Sequence, residues 1–294
     1  MTHVATLIAG SNALDGGAID RARDALLGAG AARSLGPGAA DITFTPEAGA
    51  NQRALAEQVR ARLGGGIDVV VQPAAGRRKK LFVADMDSTM IGQECLDELA
   101  GTVGLKAQVA AITERAMRGE IEFEPALRER VALLEGLPAK VIGEVIAKRI
   151  TLTPGARTLV ATMRANGAHT CMVSGGFTLF TQPIAAMIGF DETRANTLLL
   201  GGDKLTGRVA EPIFGRGGKR AALIELRTRL GLAKDDTLAA GDGANDMDMI
   251  AEAGLGVAYH AKPKVAEAAA ARIEHGDLTA LLYVQGYRRE EFVE

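Results

Sequence analysis

The chain has 294 residues, 47% hydrophobic and 24% charged, with a formal net charge of -2. That balance describes a soluble globular protein of one large or two ordinary domains, and it excludes a global positive field for nucleic acid or an anionic membrane surface. No stretch approaches the ~18 continuous apolar residues of a membrane span.

Aromatic residues make up only 4% and Trp is absent, so the core must rest on aliphatic side chains and close backbone packing. Cys95 and Cys171 are too few for a disulfide framework and are not spaced as a CxxC pair, which leaves two reduced thiols. The segment THVATLIAGSNALDGG after Met1 lacks the basic stretch of a secretion signal, and a cytoplasmic location is expected.

In chain order, VATLIAG (4–10), ADITFTP (40–46) and IDVVVQP (67–73) predict short strands. AIDRARDALLGAG and ANQRALAEQVRARLGG between them carry apolar residues at helical spacing and end in Gly. The expectation is a β-α-β-α-β module over residues 1–76, near the lower size limit for independent folding. The boundary is QPAAGRRKK, where Pro, Gly and four basic residues precede an apolar run. Four charges in a nearly neutral protein read as a solvated linker in preference to a phosphate or nucleic-acid patch.

Residues 77–294 change to a longer α/β alternation. LFVAD, HTCMVSGG, TLAAGDG and LGVAY are continuous apolar runs ending in Gly, Asp or Ser, as expected of parallel strands buried on both faces, with helices covering each. Ligands in such Rossmann-like sheets bind beyond the carboxyl ends of the strands. Two insertions interrupt the alternation. Residues 91–150 are helix-rich, and 196–214 predict a β-hairpin or small meander; both are placed to cap the site.

Three carboxylates fall at strand ends, Asp85, Asp87 and Asp242, with Asp246 close behind in GDGAND. A cluster of hard oxygens without His or Cys points to Mg²⁺, which binds through one or two carboxylates, water and phosphate oxygens. His3, His169, His260 and His275 are scattered. Lys219, at a predicted helix start, can neutralise phosphate, and Ser174, Gly175 and Gly176 offer a hydroxyl and backbone N–H groups after a strand. Taken alone, DST is also good helix-capping chemistry and Lys219 an ordinary solvated lysine.

The motifs DMDST (85–89), VSGG (173–176), Lys219 and GDGAND (241–246), in this order, resemble those of the haloacid-dehalogenase superfamily, and in particular its phosphoserine phosphatase family. The resemblance covers about residue 80 to the C-terminus. It implies Asp85 as nucleophile and Asp87 as general acid and then base. A Mg²⁺ ion would be held by the Asp85 carboxylate, the Asp87 backbone carbonyl and Asp242, with Asp246 supporting its water shell. Ser174, Gly175, Lys219 and Asn245 would contact phosphate.

The cap segments IGQECLDELA and FEPALRERVALL also resemble that family. They place Glu94 as partner of a substrate ammonium, Arg130 as partner of its carboxylate, and Phe123 and Met117 as apolar walls. The substrate implied is O-phosphoserine, with another small phosphomonoester, or a vestigial amino-acid-sensing protein, as alternatives. The N-terminal module resembles a shortened amino-acid-binding ACT domain without a clear fourth strand. That resemblance leaves serine binding, homodimer formation and simple packing all open.

Overall fold

The computed structural model describes residues 2–10, 14–118 and 120–294. The N-terminal part runs β1 (His3–Ala9), α1 (Gly16–Asp24), β2 (Ala32–Gly36), β3 (Ala39–Phe44), α2 (Gln52–Leu63), β4 (Ile67–Pro73). Its four strands form an antiparallel sheet in the order β2-β3-β1-β4. The expectation of a shortened, three-stranded module is therefore corrected. The fourth strand, ARSLG, buries only Leu35 and shows no alternation, because it is the exposed edge of the sheet. Both helices start on side-chain caps: Asp15 accepts from Ala18 N at 2.6 Å and Asn51 from Ala54 N at 3.1 Å.

Alternate residues of this sheet serve two different cores. Ala5, Leu7, Ile42, Val69 and Val71 pack under α1 and α2. Ile8, Leu35, Ala39 and Val70 face the other way and join the core of the remaining chain.

That remainder opens with β5 (Leu81–Asp85) and a cap of α3 (Cys95–Thr102), α4 (Lys106–Met117), α5 (Phe123–Ala132) and α6 (Lys140–Arg149). It continues through α7 (Ala156–Ala165), β6 (His169–Phe177), α8 (Thr178–Ile188) and β7 (Glu192–Asn196) to a hairpin, β8 (Leu198–Gly201) and β9 (Lys204–Val209). Then follow α9 (Arg216–Arg229), β10 (Thr237–Gly241), α10 (Met247–Glu252), β11 (Leu255–Tyr259), α11 (Pro263–Ala268), β12 (Ala271–Ile273) and α12 (Ala280–Val284).

The six-stranded sheet has the order β12-β11-β10-β5-β6-β7 and every pairing is parallel. The continuous apolar runs have the cause expected of them. Leu81 and Val83 pack on α9 with Leu223 and Leu226, whereas Phe82 and Ala84 pack on the α7 and α8 side with Leu159 and Phe180. The order reverses at β5, which lies between β6 and β10, so the crevice at its carboxyl end is where a ligand fits.

The cap is joined to this sheet by two adjacent chain segments. Ile91 and Leu152 form an isolated antiparallel bridge, flanked by Gly92 N to Thr151 O and Thr153 N to Met90 O, each at 3.0 Å. The hairpin is bonded to the cap: Gly136 N and Ala139 N donate to Leu205 O and Asp203 O at 2.8 Å.

The basic run 77–80 is only half solvated: Arg78 and Lys80 are exposed, whereas Arg77 and Lys79 are drawn into the fold. Arg77 makes a bidentate pair with buried Asp41 at 2.6 and 3.0 Å and also donates to the carbonyls of Tyr283 and Val284 at the end of α12. Lys79 is buried and donates to Gly76 O and Asp235 O, while Lys80 pairs with Asp236. Arg78 stacks over the Tyr287 ring and pairs with Glu291. A second tie comes from Asp68 on β4, 1% exposed, whose carboxylate accepts from the backbone N–H groups of Glu274, His275 and Gly276. No helix of the described residues is long and apolar enough to cross a membrane.

Candidate active site

Asp85 ends β5, the central strand, and its Oδ1 accepts the Met86 N–H at 2.7 Å. In a regular strand, residues two apart share a face. Here the chain leaves the strand after Asp85 through a turn in which Ser88 has φ 55°, a left-handed conformation unusual for a residue with a Cβ. Asp87, just before that turn, keeps an extended backbone (φ -66°, ψ 136°).

Lys219, in the first turn of α9, is fully buried. Its Nζ lies 2.7 Å from Asp85 Oδ1 and 2.7 Å from Asp246 Oδ1. The second oxygen of Asp246 accepts from Gly243 N at 3.0 Å. Gly241 is required beneath this carboxylate, since a Cβ there would lie 2.5 Å from Asp246 Cγ. Asp242 is held by the Thr89 hydroxyl at 3.3 Å.

Carboxylate oxygens of Asp85, Asp242 and Asp246 all lie within 4.8 Å of one another. Three buried carboxylates around one ammonium leave an uncompensated negative charge. Burial and then the neighbouring Asp246 push the Asp85 carboxyl well up, with Lys219 opposing, and the same two causes raise Asp242 to about 6. For Lys219 the two carboxylates outweigh burial and raise its pKa. All donors are hard oxygens, without His or Cys, so the set fits a divalent cation of the Mg²⁺ or Ca²⁺ type. Asp246, expected to act only through water, lies as close to this centre as the other two.

Asp87 is held by a different pair of donors. Its Oδ1 accepts from Cys95 N, the first residue of α3, at 2.9 Å, and its Oδ2 from Ser174 Oγ at 3.2 Å. Burial raises its pKa, partly offset by the Cys95 bond and the Lys219 charge. Ser174 is buried at the end of β6, where the ladder with β7 is interrupted between Val173 and Phe177. Such a bulge re-aims side chains. Here it sets the Ser174 Oγ to accept from Gly176 N at 2.8 Å.

The cap supplies the outer wall. Glu94, immediately before α3, stays open to solvent and accepts from Ser88 Oγ at 2.7 Å. Loss of hydration in this concave wall, then the Asp87 charge, raise it to about 7. Arg130 on α5 is half-buried and donates to Ala126 O and Thr113 Oγ1; among the described residues no carboxylate lies within 4.0 Å of it. Burial lowers its pKa while Asp97 and Glu94 act in the other direction. The Phe123 ring leans on two backbones, since a Cβ on Gly175 or Gly215 would come within 3.3 or 3.1 Å of it. Asn245 is half-buried with its amide oxygen over Gly243. The Met117 side chain lies outside the described residues.

A family model for haloacid dehalogenase-like hydrolases matches residues 82–251, more than half of the chain. The chain belongs to that family. Among relatives of this hydrolase, a phosphoserine phosphatase of Albidiferax ferrireducens is 47% identical over 208 residues, 69% of this chain and 88% of the relative. The phosphoserine phosphatase SerB2 of Mycobacterium tuberculosis is 44% identical over 227 residues, and the match spans only 55% of that relative's length. Among solved structures, a HAD family hydrolase of Salmonella enterica serovar Typhi superposes with a TM-score of 0.87 at 30% identity, covering 96% of this chain and 98% of the other. The chain thus shares its N-terminal sheet as well as its parallel-sheet fold with a solved relative.

Sequence reasoning missed Ser88, Thr89 and the Cys95 N–H as parts of this site. Thr89 was visible inside DMDST. The Cys95 contact is made by a backbone group, which no residue type signals.

Proposed function

We propose that this hydrolase is a Mg²⁺-dependent phosphoserine phosphatase that works through an aspartyl-phosphate on Asp85. The observation that carries the substrate choice is the pair on the cap wall: Glu94, an acid open to solvent, and Arg130, a half-buried guanidinium with no carboxylate partner among the described residues. An amino acid brings an ammonium and a carboxylate, which complement that pair, and Arg is the cation suited to a carboxylate. Relatives named phosphoserine phosphatase support the same reading.

Asp85 Oδ1 is engaged by Lys219 and the Met86 N–H, so Oδ2 is the oxygen offered to phosphorus. Attack forms the Oδ2–P bond and breaks the bond from phosphorus to the serine oxygen. Asp87, whose carboxyl burial shifts toward the protonated form, gives a proton to that leaving oxygen, then takes one from the water that hydrolyses the acyl phosphate. Lys219, Ser174, Asn245 and the Gly175 N–H hold the phosphoryl oxygens. Asp85, the Asp87 carbonyl and Asp242 would hold Mg²⁺, with Asp246 beside them, and the bound ion supplies charge neutralisation between carboxylate and phosphate.

The test is phosphate release from a panel of small phosphomonoesters with and without chelator. Phosphoserine should be turned over best, only with Mg²⁺, and Asp85→Asn should lower turnover ~10³-fold or more. A substrate ranking unchanged by Arg130→Ala would overturn the amino-acid reading while leaving the phosphatase chemistry intact.

A further inference from the structure

Asn196, the last residue of β7, belongs to none of the phosphatase motifs, yet it is 2% exposed and its side chain makes three hydrogen bonds. Its Nδ2 donates to Gly175 O and to Phe214 O, each at 2.9 Å, and its Oδ1 accepts from Phe214 N at 2.6 Å. Those bonds span two segments that both handle phosphate in the reading above, on which this inference rests.

The first segment is the peptide joining Gly175 to Gly176. A trans peptide is rigid and its carbonyl and N–H point in opposite directions. With Gly175 O drawn to Asn196, the Gly176 N–H must point away from it. There it meets Ser174 Oγ at 2.8 Å, and that hydroxyl in turn donates to Asp87 Oδ2. One side chain therefore sets the peptide plane that orients Ser174.

The second segment leads into α9. Asn196 bonds both backbone groups of Phe214, as a paired strand residue does. The Phe214 ring lies against Gly218, where a Cβ would come within 2.8 Å of it, and Lys219 N donates to Gly215 O at 3.1 Å. The position of Lys219 thus depends on where Phe214 is held.

We infer that Asn196 is a positioning residue that locks the Ser174–Gly176 loop and the Lys219 turn into one phosphate cradle. It touches no substrate. Its loss acts on the phosphoryl group of every substrate alike, and leaves discrimination by Glu94 and Arg130 untouched.

The experiment compares Asn196→Asp and Asn196→Ser with the parent full-length enzyme on phosphoserine and on p-nitrophenyl phosphate, with inhibition by inorganic phosphate measured alongside. Asp keeps the acceptor for Phe214 N but sets an anionic oxygen against two carbonyls; Ser is shorter and uncharged, and serves if the buried charge of Asp prevents folding. In the folded variant kcat/KM should fall by roughly 10- to 100-fold, the scale of a misplaced catalytic group. The fall should be equal for both substrates, with phosphate inhibition weakened. A purely structural role would lower the active fraction, and so kcat, while KM and phosphate inhibition stay at parent values; that result overturns the inference. So does a variant within twofold of the parent in all three measurements. If the parent does not hydrolyse phosphoserine, the proposed substrate fails, and the p-nitrophenyl phosphate and inhibition results still decide the role of Asn196.

Discussion

Glu94 shows how a residue's neighbours set its chemistry. Loss of hydration in the concave cap wall, then Asp87, raise its carboxyl to about 7, so in the free enzyme it binds a proton as the pH falls through that value. An ammonium is held by the anion and not by the acid. For phosphoserine, kcat/KM should therefore rise with pH up to about 7 and level off above it. For p-nitrophenyl phosphate, which has no ammonium, this limb should be missing, and Glu94→Gln should remove it for phosphoserine while lowering affinity. Parallel pH–rate profiles of the two substrates check this. Most of the candidate site residues were legible because each motif puts its chemistry on adjacent positions at a strand end. Asn196 and the Cys95 N–H were not, because their roles come from contacts with residues 18 to 21 and 8 positions away.

Between elements, the chain's return from the cap is a place of close backbone approach. Gly155 precedes α7 at φ 80°, and a Cβ there would lie 2.7 Å from Thr279 N. Gly167, after α7, has φ 82° with open space around it. Gly167→Ala should cost only the backbone strain of the left-handed region, about 1–2 kcal/mol. Gly155→Ala should cost that and more, because the segment must also shift off α12. Denaturant midpoints of the two variants give the difference. Continuous apolar runs announced the parallel strands because two faces of burial leave a strong compositional mark. The strand β2 left none: at a sheet edge, only Leu35 of its five residues is buried.

At the scale of the molecule, the run Arg77–Lys80 carries the clearest lesson about reading sequence. Four adjacent cations look alike when their partners are unknown, yet Arg77 and Lys79 are drawn in while Arg78 and Lys80 stay exposed. The partners, Asp41, the α12 carbonyls, Asp235, Asp236 and Glu291, are supplied by the tertiary fold. The same is true of Asp68, whose three backbone donors lie more than two hundred positions away.

The second face of the N-terminal sheet is shared with the catalytic core, and this has a thermodynamic consequence. Ile8, Leu35 and Val70 pack in one apolar cluster with Phe82, Leu281 and Tyr287, so neither part can lose its structure without exposing the other. Heating should meet a single cooperative transition in calorimetry. Asp68→Ala would strand the buried Gly276 N–H, at a cost of about 1–3 kcal/mol. That loss at the junction should broaden the transition or split it in two, with the small N-terminal sheet melting first.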